Sequence, residues 1–147
     1  MSNTEAKFVS PFVLEYSYKR SLGPVLSRFM TALRNKEILG AKTQSGAVIV
    51  PPAEYDPATG EATTELVPVG PGGTVESWCW VAEPTPEHPL DGPFAWALIK
   101  LDGADSAMVH AVVGEESQMA TGIRVSARWK IECVGNIHDI VCFEVAP

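Results

Sequence analysis

The density of helix breakers between Gly40 and Gly73 is the feature that most restricts how this chain can fold. Five prolines and six glycines fall within these 34 residues. Proline removes a backbone donor and glycine costs conformational entropy, so a helix cannot persist there. Only residues 47–50 and 64–69 have a strand-like composition. We therefore predict that residues 40–72 form a compact, turn-rich module.

A helix is predicted just before this module, beginning at Pro24. Proline is favoured in the first helical turn because its missing N–H would lack a partner there. Val25, Phe29 and Leu33 then recur at i, i+4 and i+8, which indicates one apolar face. Residues 1–39 are predicted to form a helical arm whose apolar stripe is a candidate docking element.

From Gly73 onward the pattern is that of an all-β domain. Asp102 and Gly103 predict a hairpin turn, and the polar stretch 114–120 predicts a short turn of helix. Apolar and polar residues alternate most clearly over residues 123–131, where one side is formed by Ile123, Val125, Ala127, Trp129 and Ile131. Five strands are predicted, over residues 74–82, 94–101, 106–113, 123–131 and 137–145.

Five strands with a break between the third and fourth are typical of a Greek-key barrel of the oligonucleotide/oligosaccharide-binding (OB) type. The predicted fold is therefore mainly β, with the barrel over residues 73–147. An immunoglobulin-like sandwich needs about seven strands and is the second choice.

Composition excludes several classes of protein. The chain has 11 basic and 18 acidic residues, a balance that argues against a nucleic-acid partner. Cys79, Cys133 and Cys142 are scattered and odd in number, which favours neither a disulfide framework nor a zinc site. No signal peptide or membrane-spanning run is present in the sequence, so we expect a cytoplasmic protein without membrane association.

Three stretches resemble the family of zinc-ribbon/OB-fold proteins associated with acyl-CoA enzymes. They are Pro51-Pro52 with residues 56–60, the run 93–105, and Gly122 to Val125. The most specific part is the sequence Leu-Asp-Gly-Ala-Asp at residues 101–105. The resemblance spans residues 23–143 and implies a small subunit that sits beside thiolase-like and hydroxymethylglutaryl-CoA-synthase-like enzymes.

The resemblance also implies a rubredoxin- or zinc-ribbon-like module in which four cysteines bind zinc. At those positions this chain has Lys42, Ser45, Asp56 and Thr59. None is a thiolate, so we predict no metal. We expect the module to keep its shape through rigid prolines, through hydrogen bonds from Asp56 and Thr59, and through the packing of Val48, Val50 and Tyr55.

The function implied by the resemblance is that of a non-catalytic accessory or scaffold subunit of a multi-component acyltransferase. Claisen-type acyl transfer would proceed on a cysteine of the partner, and this chain would meet CoA or the acyl group only through that partner. Its length and layout are similar to family members that accompany a diacetylphloroglucinol-forming acetyltransferase, which implies C-acetylation of a phloroglucinol. Accessory subunits of sterol side-chain thiolases or aldolases are the alternative within the family.

Several residues are candidates for contact with a partner or a substrate channel. They lie on the helical stripe, on the first barrel strand, in a proline-rich loop and on a basic strand face, and aromatic and arginine side chains are enriched at interfaces. They are Val25, Phe29, Leu33, Trp78, Trp80, His88, Arg124 and Arg128.

Two rival functions belong to other classes. Aromatic side chains on an OB barrel also suit the stacking of single-stranded nucleic acid, although the acidic composition opposes it. A small enzyme would need His88 or Cys79 in an activated pair, yet the sequence has no GxSxG motif and no phosphate-binding loop. We predict no catalytic residue in this chain, and we expect His110 to be a satisfied barrel residue.

Overall fold

A short helix, a three-stranded sheet and a five-stranded barrel follow one another along the chain. The computed structural model describes residues 9–63 and 65–146. Helix α1 spans Pro24–Leu33. The strands are β1 (Ile38–Lys42), β2 (Val48–Ile49), β3 (Glu65–Val69), β4 (Gly72–Val81), β5 (Phe94–Leu101), β6 (Ala107–Val113), β7 (Arg124–Trp129) and β8 (Ile140–Val145).

The last five strands form a closed barrel in the order β4-β5-β6-β8-β7. Neighbouring strands are antiparallel except β6 and β8, which run parallel, and β7 returns to pair with β4. A 3-10 turn, Glu116–Gln118, lies between the third and fourth barrel strands. This order is that of an OB barrel, so the predicted fold class of the barrel is confirmed.

The ends of the last two strands differ from the prediction. Strand β7 stops at Trp129, and Ile131 is 97% exposed instead of facing the core. Residues Ile137–Asp139 form a 3-10 turn, so β8 begins only at Ile140. A bulge opposite this start shifts the register, and Val141 therefore packs on the outside of the barrel while Phe143 packs inside.

Strand β1 differs from the prediction, which ends the helix near residues 35–39 and places no strand before residue 47. The helix ends at Leu33, and the chain then reverses through Lys36, whose φ of 58° is left-handed. Strand β1 is the centre of the sheet β2-β1-β3 and pairs antiparallel with both neighbours. The division at residues 39/40 and 72/73 stays a prediction; Thr64, which was predicted to begin a strand, lies outside the described residues.

One continuous hydrophobic core joins the helix, the sheet and the barrel. Phe29 and Leu33 of α1 pack with Ile38 and Val69 of the sheet and with barrel residues such as Val75. Burying one such side chain stabilises the fold by about 1.5–3 kcal/mol. The predicted stripe Val25, Phe29 and Leu33 is therefore core, at 6%, 1% and 0% exposed, and the expectation of an exposed docking stripe on the helix is wrong.

The turn between β5 and β6 connects the barrel to the three-stranded sheet. The carboxylate of Asp105 accepts a hydrogen bond from the N–H of Val48 at 2.8 Å. The hydroxyl of Ser106 accepts from the N–H of Val50 at 2.7 Å and donates to its carbonyl at 3.0 Å. Ala104, the residue just before these two, is buried in the core. The specific run at residues 101–105 thus joins the two β units.

Helix α1 receives its N-terminal cap from a residue far along the chain. Gly23 stands at the cap position and has no side chain to satisfy the free N–H groups. The Glu54 carboxylate accepts instead from the N–H of Val25 at 3.0 Å and of Leu26 at 3.4 Å. The negative charge also suits the positive end of the helix dipole. Among the described residues no helix is long and apolar enough to cross a membrane.

We predict that Glu54→Ala destabilises the protein. The substitution leaves the first N–H groups of α1 without their acceptor, which costs about 1 kcal/mol. Thermal unfolding at pH 7 measures the change. Glu61→Ala is the matched control, because Glu61 is an exposed carboxylate of the same loop region whose side chain makes no described hydrogen bond. Equal melting temperatures for the two variants would contradict the capping role.

A buried carboxylate organises the loop that leads into β8. Asp139 is completely buried and accepts hydrogen bonds from the N–H groups of Val134, Gly135 and Asn136 at 3.1, 2.7 and 2.9 Å. Burial alone raises the pKa of this carboxyl group, but the three N–H donors, helped by Lys130, outweigh burial, and the pKa lies below its ordinary value.

We predict that Asp139→Asn lowers the melting temperature by several degrees at pH 7 and by less below pH 4. The pKa of Asp139 is lower in the folded than in the unfolded chain, so its contribution to stability is present above the unfolded value of about 3.9 and is lost as pH falls through the folded value. Melting curves of both proteins between pH 3 and 8 test this. A difference that stays constant with pH would contradict it.

Candidate functional site

The outer side of the barrel carries an exposed apolar surface on strands β4, β5 and β6. Cys79 lies opposite Trp96, and Leu98 lies opposite Val109. Leu98 is 40% and Val109 58% exposed, and Cys79 is exposed beside them. These four residues, which we call the outer apolar face, surround a shallow depression of about 230 Å³.

The outer apolar face exists because β5 is apolar on both sides. Ala97, Ile99 and Leu101 point into the barrel. The alternate residues point outward, and only the first of them, Phe94, is fully buried, beneath the proline-rich loop that contributes Leu90. A strand with two apolar sides needs cover on both. The loop covers one end of β5 and leaves the other end open.

His88 holds the turn of the proline-rich loop. Its Nδ1 accepts from the N–H of Thr85 at 2.8 Å and lies 3.0 Å from the Thr85 hydroxyl. Its ring meets the ring of Phe94 edge-on, with centroids 5.6 Å apart. His88 is half-buried by the loop it supports.

The two tryptophans of β4 face inward. Trp78 and Trp80 are half-buried and pack against the barrel core, while Ser77 and Cys79, the residues on either side of Trp78, are exposed. A stacking surface for nucleic-acid bases requires exposed rings beside basic side chains. Trp78 also borders the depression in the outer apolar face, so it remains a candidate contact residue.

The predicted basic strand face is neutralised by acidic neighbours. Arg124 binds Asp102 through two hydrogen bonds of 2.7 and 2.5 Å, and Arg128 binds Glu144 at 2.8 Å. The hydrogen bonds from Arg124 hold the pKa of Asp102 below its ordinary value. Exposed pairs of this kind are screened by solvent and contribute little to stability. Both arginines bind carboxylates of their own chain instead of facing a partner unpaired.

Two loops of the three-stranded sheet face each other where the resemblance implies a zinc site. Residues 43–47 and 56–59, with the turn residues Asp105 and Ser106, line a cavity of about 320 Å³. The four family positions lie in or beside these loops, but each is engaged otherwise. Lys42 pairs with Glu65, Ser45 with Thr43, Asp56 accepts from the N–H of Ala58, and Thr59 accepts from the N–H of Glu61.

These residues do not fit a zinc ion. Structural zinc requires four ligands such as thiolates or imidazoles, and the set offers a single carboxylate. In the described part of the chain, no cluster of three or more His, Cys, Asp or Glu side chains could hold a metal. The predicted hydrogen bonds of Asp56 and Thr59 are present, and Val50 is buried, but Tyr55 is 63% exposed and does not help to pack the module.

The remaining histidine and cysteine residues are not arranged for nucleophilic catalysis. The His110 ring stacks edge-on against Phe143, and its Nδ1 accepts from the N–H of Ala111. Burial lowers the pKa of His110, although the nearby carbonyl of Ala111 acts to raise it, and burial raises the pKa of the Cys142 thiol. Within residues 9–63 and 65–146, no cysteine hydrogen-bonds to a histidine.

Sequence reasoning missed the outer apolar face. The signal was present in the run Phe-Ala-Trp-Ala-Leu-Ile-Lys-Leu at residues 94–101, which has a single polar residue where a half-exposed strand alternates. The run by itself predicts only a barrel strand. The tertiary structure decides which part of the outer side of this strand the proline-rich loop covers.

We predict that the purified protein is equally stable with and without a chelator. The loops that face the cavity are held by hydrogen bonds and core packing, so EDTA has no metal to remove from them. Elemental analysis and melting curves with and without EDTA test this. Stoichiometric zinc, or a melting temperature that falls on chelation, would contradict it.

Comparison with known proteins shows what the barrel is similar to. Residues 66–130 match the family model of the ChsH2 C-terminal OB-fold domain. The structure described as the Ltp2-ChsH2(DUF35) aldolase is similar, with a TM-score of 0.63 and 17% identity over 88% of this chain and 100% of that one. No match was found among curated proteins.

A second solved structure, a protein of unknown function from the DUF35 family of Sulfolobus solfataricus, has a TM-score of 0.59. It is 20% identical over 71% of this chain and 78% of its own. At these identities the two structures show a shared fold. Residues 66–130 of this chain thus form a segment similar to the C-terminal OB-fold domain of ChsH2.

Proposed function

We propose that this chain is a non-catalytic accessory subunit of a thiolase- or aldolase-type enzyme complex. The observation that carries the proposal is the outer apolar face, which lies on an OB-type barrel similar to the ChsH2 domain. A contiguous apolar patch on a soluble surface marks an interaction site. The similar structure is described as an Ltp2-ChsH2(DUF35) aldolase, and that description supports a partner enzyme for this chain.

The face suits a protein better than a nucleic acid. Strands two and three of an OB barrel, β5 and β6 here, form the usual binding side of this fold. On that side Trp96, Leu98 and Val109 point outward, and both arginines of β7 are paired with acids. Binding of phosphates requires unpaired cations, whereas an apolar centre with aromatic residues is typical of protein interfaces.

Within this class we propose the acyl-transfer reaction that the resemblance implies. The partner cysteine would carry the acyl group, and CoA would reach this chain only through the partner. C-acetylation of a phloroglucinol, with thiolase-like and hydroxymethylglutaryl-CoA-synthase-like partners, is the specific form. The second candidate function is that of an accessory subunit of a sterol side-chain thiolase or aldolase, and the similarity to the Ltp2-ChsH2 aldolase favours it.

We predict that the chain co-elutes with a thiolase-like protein encoded beside it and that Val109→Glu abolishes this co-elution. A buried carboxylate without a partner costs several kcal/mol at an apolar interface. Val109 is already exposed in the free chain, so its melting temperature should stay unchanged. Co-expression followed by size-exclusion chromatography measures complex formation.

Ile131→Glu is the matched control for Val109→Glu. Ile131 is an exposed β-branched residue that lies away from the outer apolar face, so this variant should co-elute like the wild type. Reaction type is read from acyl-transfer and retro-aldol assays of the purified complex. Turnover by the isolated chain, or no binding to any thiolase-like neighbour, would contradict the proposed function.

A further inference from the structure

An extended N-terminal segment displays large apolar side chains without packing them. Residues 9–22 contain no helix or strand, and the side chains from Val9 to Tyr18 include six large apolar ones that are 72–87% exposed. They are Val9, Phe12, Val13, Leu14, Tyr16 and Tyr18. Isolated exposed apolar residues are ordinary, but six in ten consecutive positions mark an interaction segment. We call residues 9–22 the arm.

The arm has the side-chain pattern of a strand that awaits a neighbour. Phe12, Leu14, Tyr16 and Tyr18 occupy alternate positions, so they share one side when the backbone is extended. The rings of Tyr16 and Tyr18 lie 6.1 Å apart, as expected for that arrangement. The opposite side is more polar and includes Glu15, Ser17 and Lys19 after Val13. This pattern is typical of peptides that add to a sheet of another protein.

Charge separates the arm and its helix from the rest of the molecule. Residues 9–36, the arm with its helix, contain one acidic residue, Glu15, and five basic ones: Lys19, Arg20, Arg28, Arg34 and Lys36. The remaining sequence has six basic and seventeen acidic residues. A cationic segment next to an apolar one fits a surface whose apolar groove is bordered by acidic side chains, and such charges raise the association rate.

A second copy of this chain offers no suitable sheet edge for the arm. The barrel is closed, so it has no free strand. Strand β2 has two residues, and its neighbouring backbone groups are bound by Asp105 and Ser106. The outer strand β3 is five residues long and contains Pro68, which cannot donate. Among the described strands, none can pair with an arm of this length.

We propose that the arm docks as an extended strand on the acyl-transfer partner enzyme, with Phe12, Leu14, Tyr16 and Tyr18 facing an apolar, acid-bordered groove of that enzyme. This inference rests on the proposed function, since that function supplies the partner. Fully extended, fourteen residues reach at most about 50 Å. The arm and the outer apolar face would then act together as a bivalent attachment.

The test compares full-length variants in binding to the co-eluting thiolase-like enzyme. The double variant Leu14→Ser, Tyr16→Ser removes two apolar side chains from the docking side and should raise the Kd at least tenfold. Val13→Ser is the matched control, because Val13 is as exposed as Leu14 but points to the opposite side; its Kd should change less than threefold. All variants should keep the wild-type melting temperature, because these side chains are exposed in the free chain.

Hydrogen exchange gives a second readout. Amides between residues 12 and 18 should be unprotected in the free chain and protected in the complex. Wild-type affinity of the double variant, or equal losses from Leu14→Ser and Val13→Ser as single variants, would overturn the arm proposal while the proposed function stands. Failure of the wild type to bind the enzyme would overturn both.

Two other occupants of the arm are separate outcomes that also overturn it. If light scattering shows a concentration-dependent dimer of the wild type and the double variant abolishes it, the arm binds a second copy of this chain instead. If the wild type sediments with vesicles of phosphatidylserine and phosphatidylcholine and the double variant does not, the arm binds a lipid surface instead.

Discussion

The turn between β5 and β6 is the contact on which the rest of the structure depends. Asp105 and Ser106 bind backbone groups of Val48 and Val50, and the preceding Ala104 is buried in the core. Net, each hydrogen bond contributes about 1 kcal/mol, but a lost partner would leave a part-buried backbone group unsatisfied. The turn therefore fixes where the three-stranded sheet sits on the barrel, and the sheet in turn receives helix α1.

This joint explains how a module without metal ligands keeps its position. A zinc ribbon gains folding energy from its metal, whereas here the loops are held by side-chain hydrogen bonds, by Val50 in the core and by the barrel turn. The helix is likewise held by a side-chain hydrogen bond, because Glu54 of the module, 29 positions along the chain from Val25, caps α1. The three-stranded sheet therefore depends on the barrel for its position, and the two β units share one core.

Polar groups and apolar groups are distributed in a way that suits attachment rather than catalysis. Arg124 and Arg128 are paired with carboxylates, and His88 closes a turn. Apolar side chains, by contrast, remain uncovered on the outer apolar face and along the arm. Desolvation of these surfaces is the available source of binding energy, because exposed ion pairs contribute little.

The sequence alone determined the helix start, most strands and the barrel, because breakers and hydrophobic alternation act locally through backbone sterics. Charge balance and the missing thiolates were equally local properties of composition. Only the tertiary structure decided that Phe29 and Leu33 are core, that Glu54 caps α1 and that Leu98 and Val109 stay uncovered. Those outcomes depend on which distant segment packs against each side of an element, and one-dimensional periodicity records that a side is apolar but not what covers it.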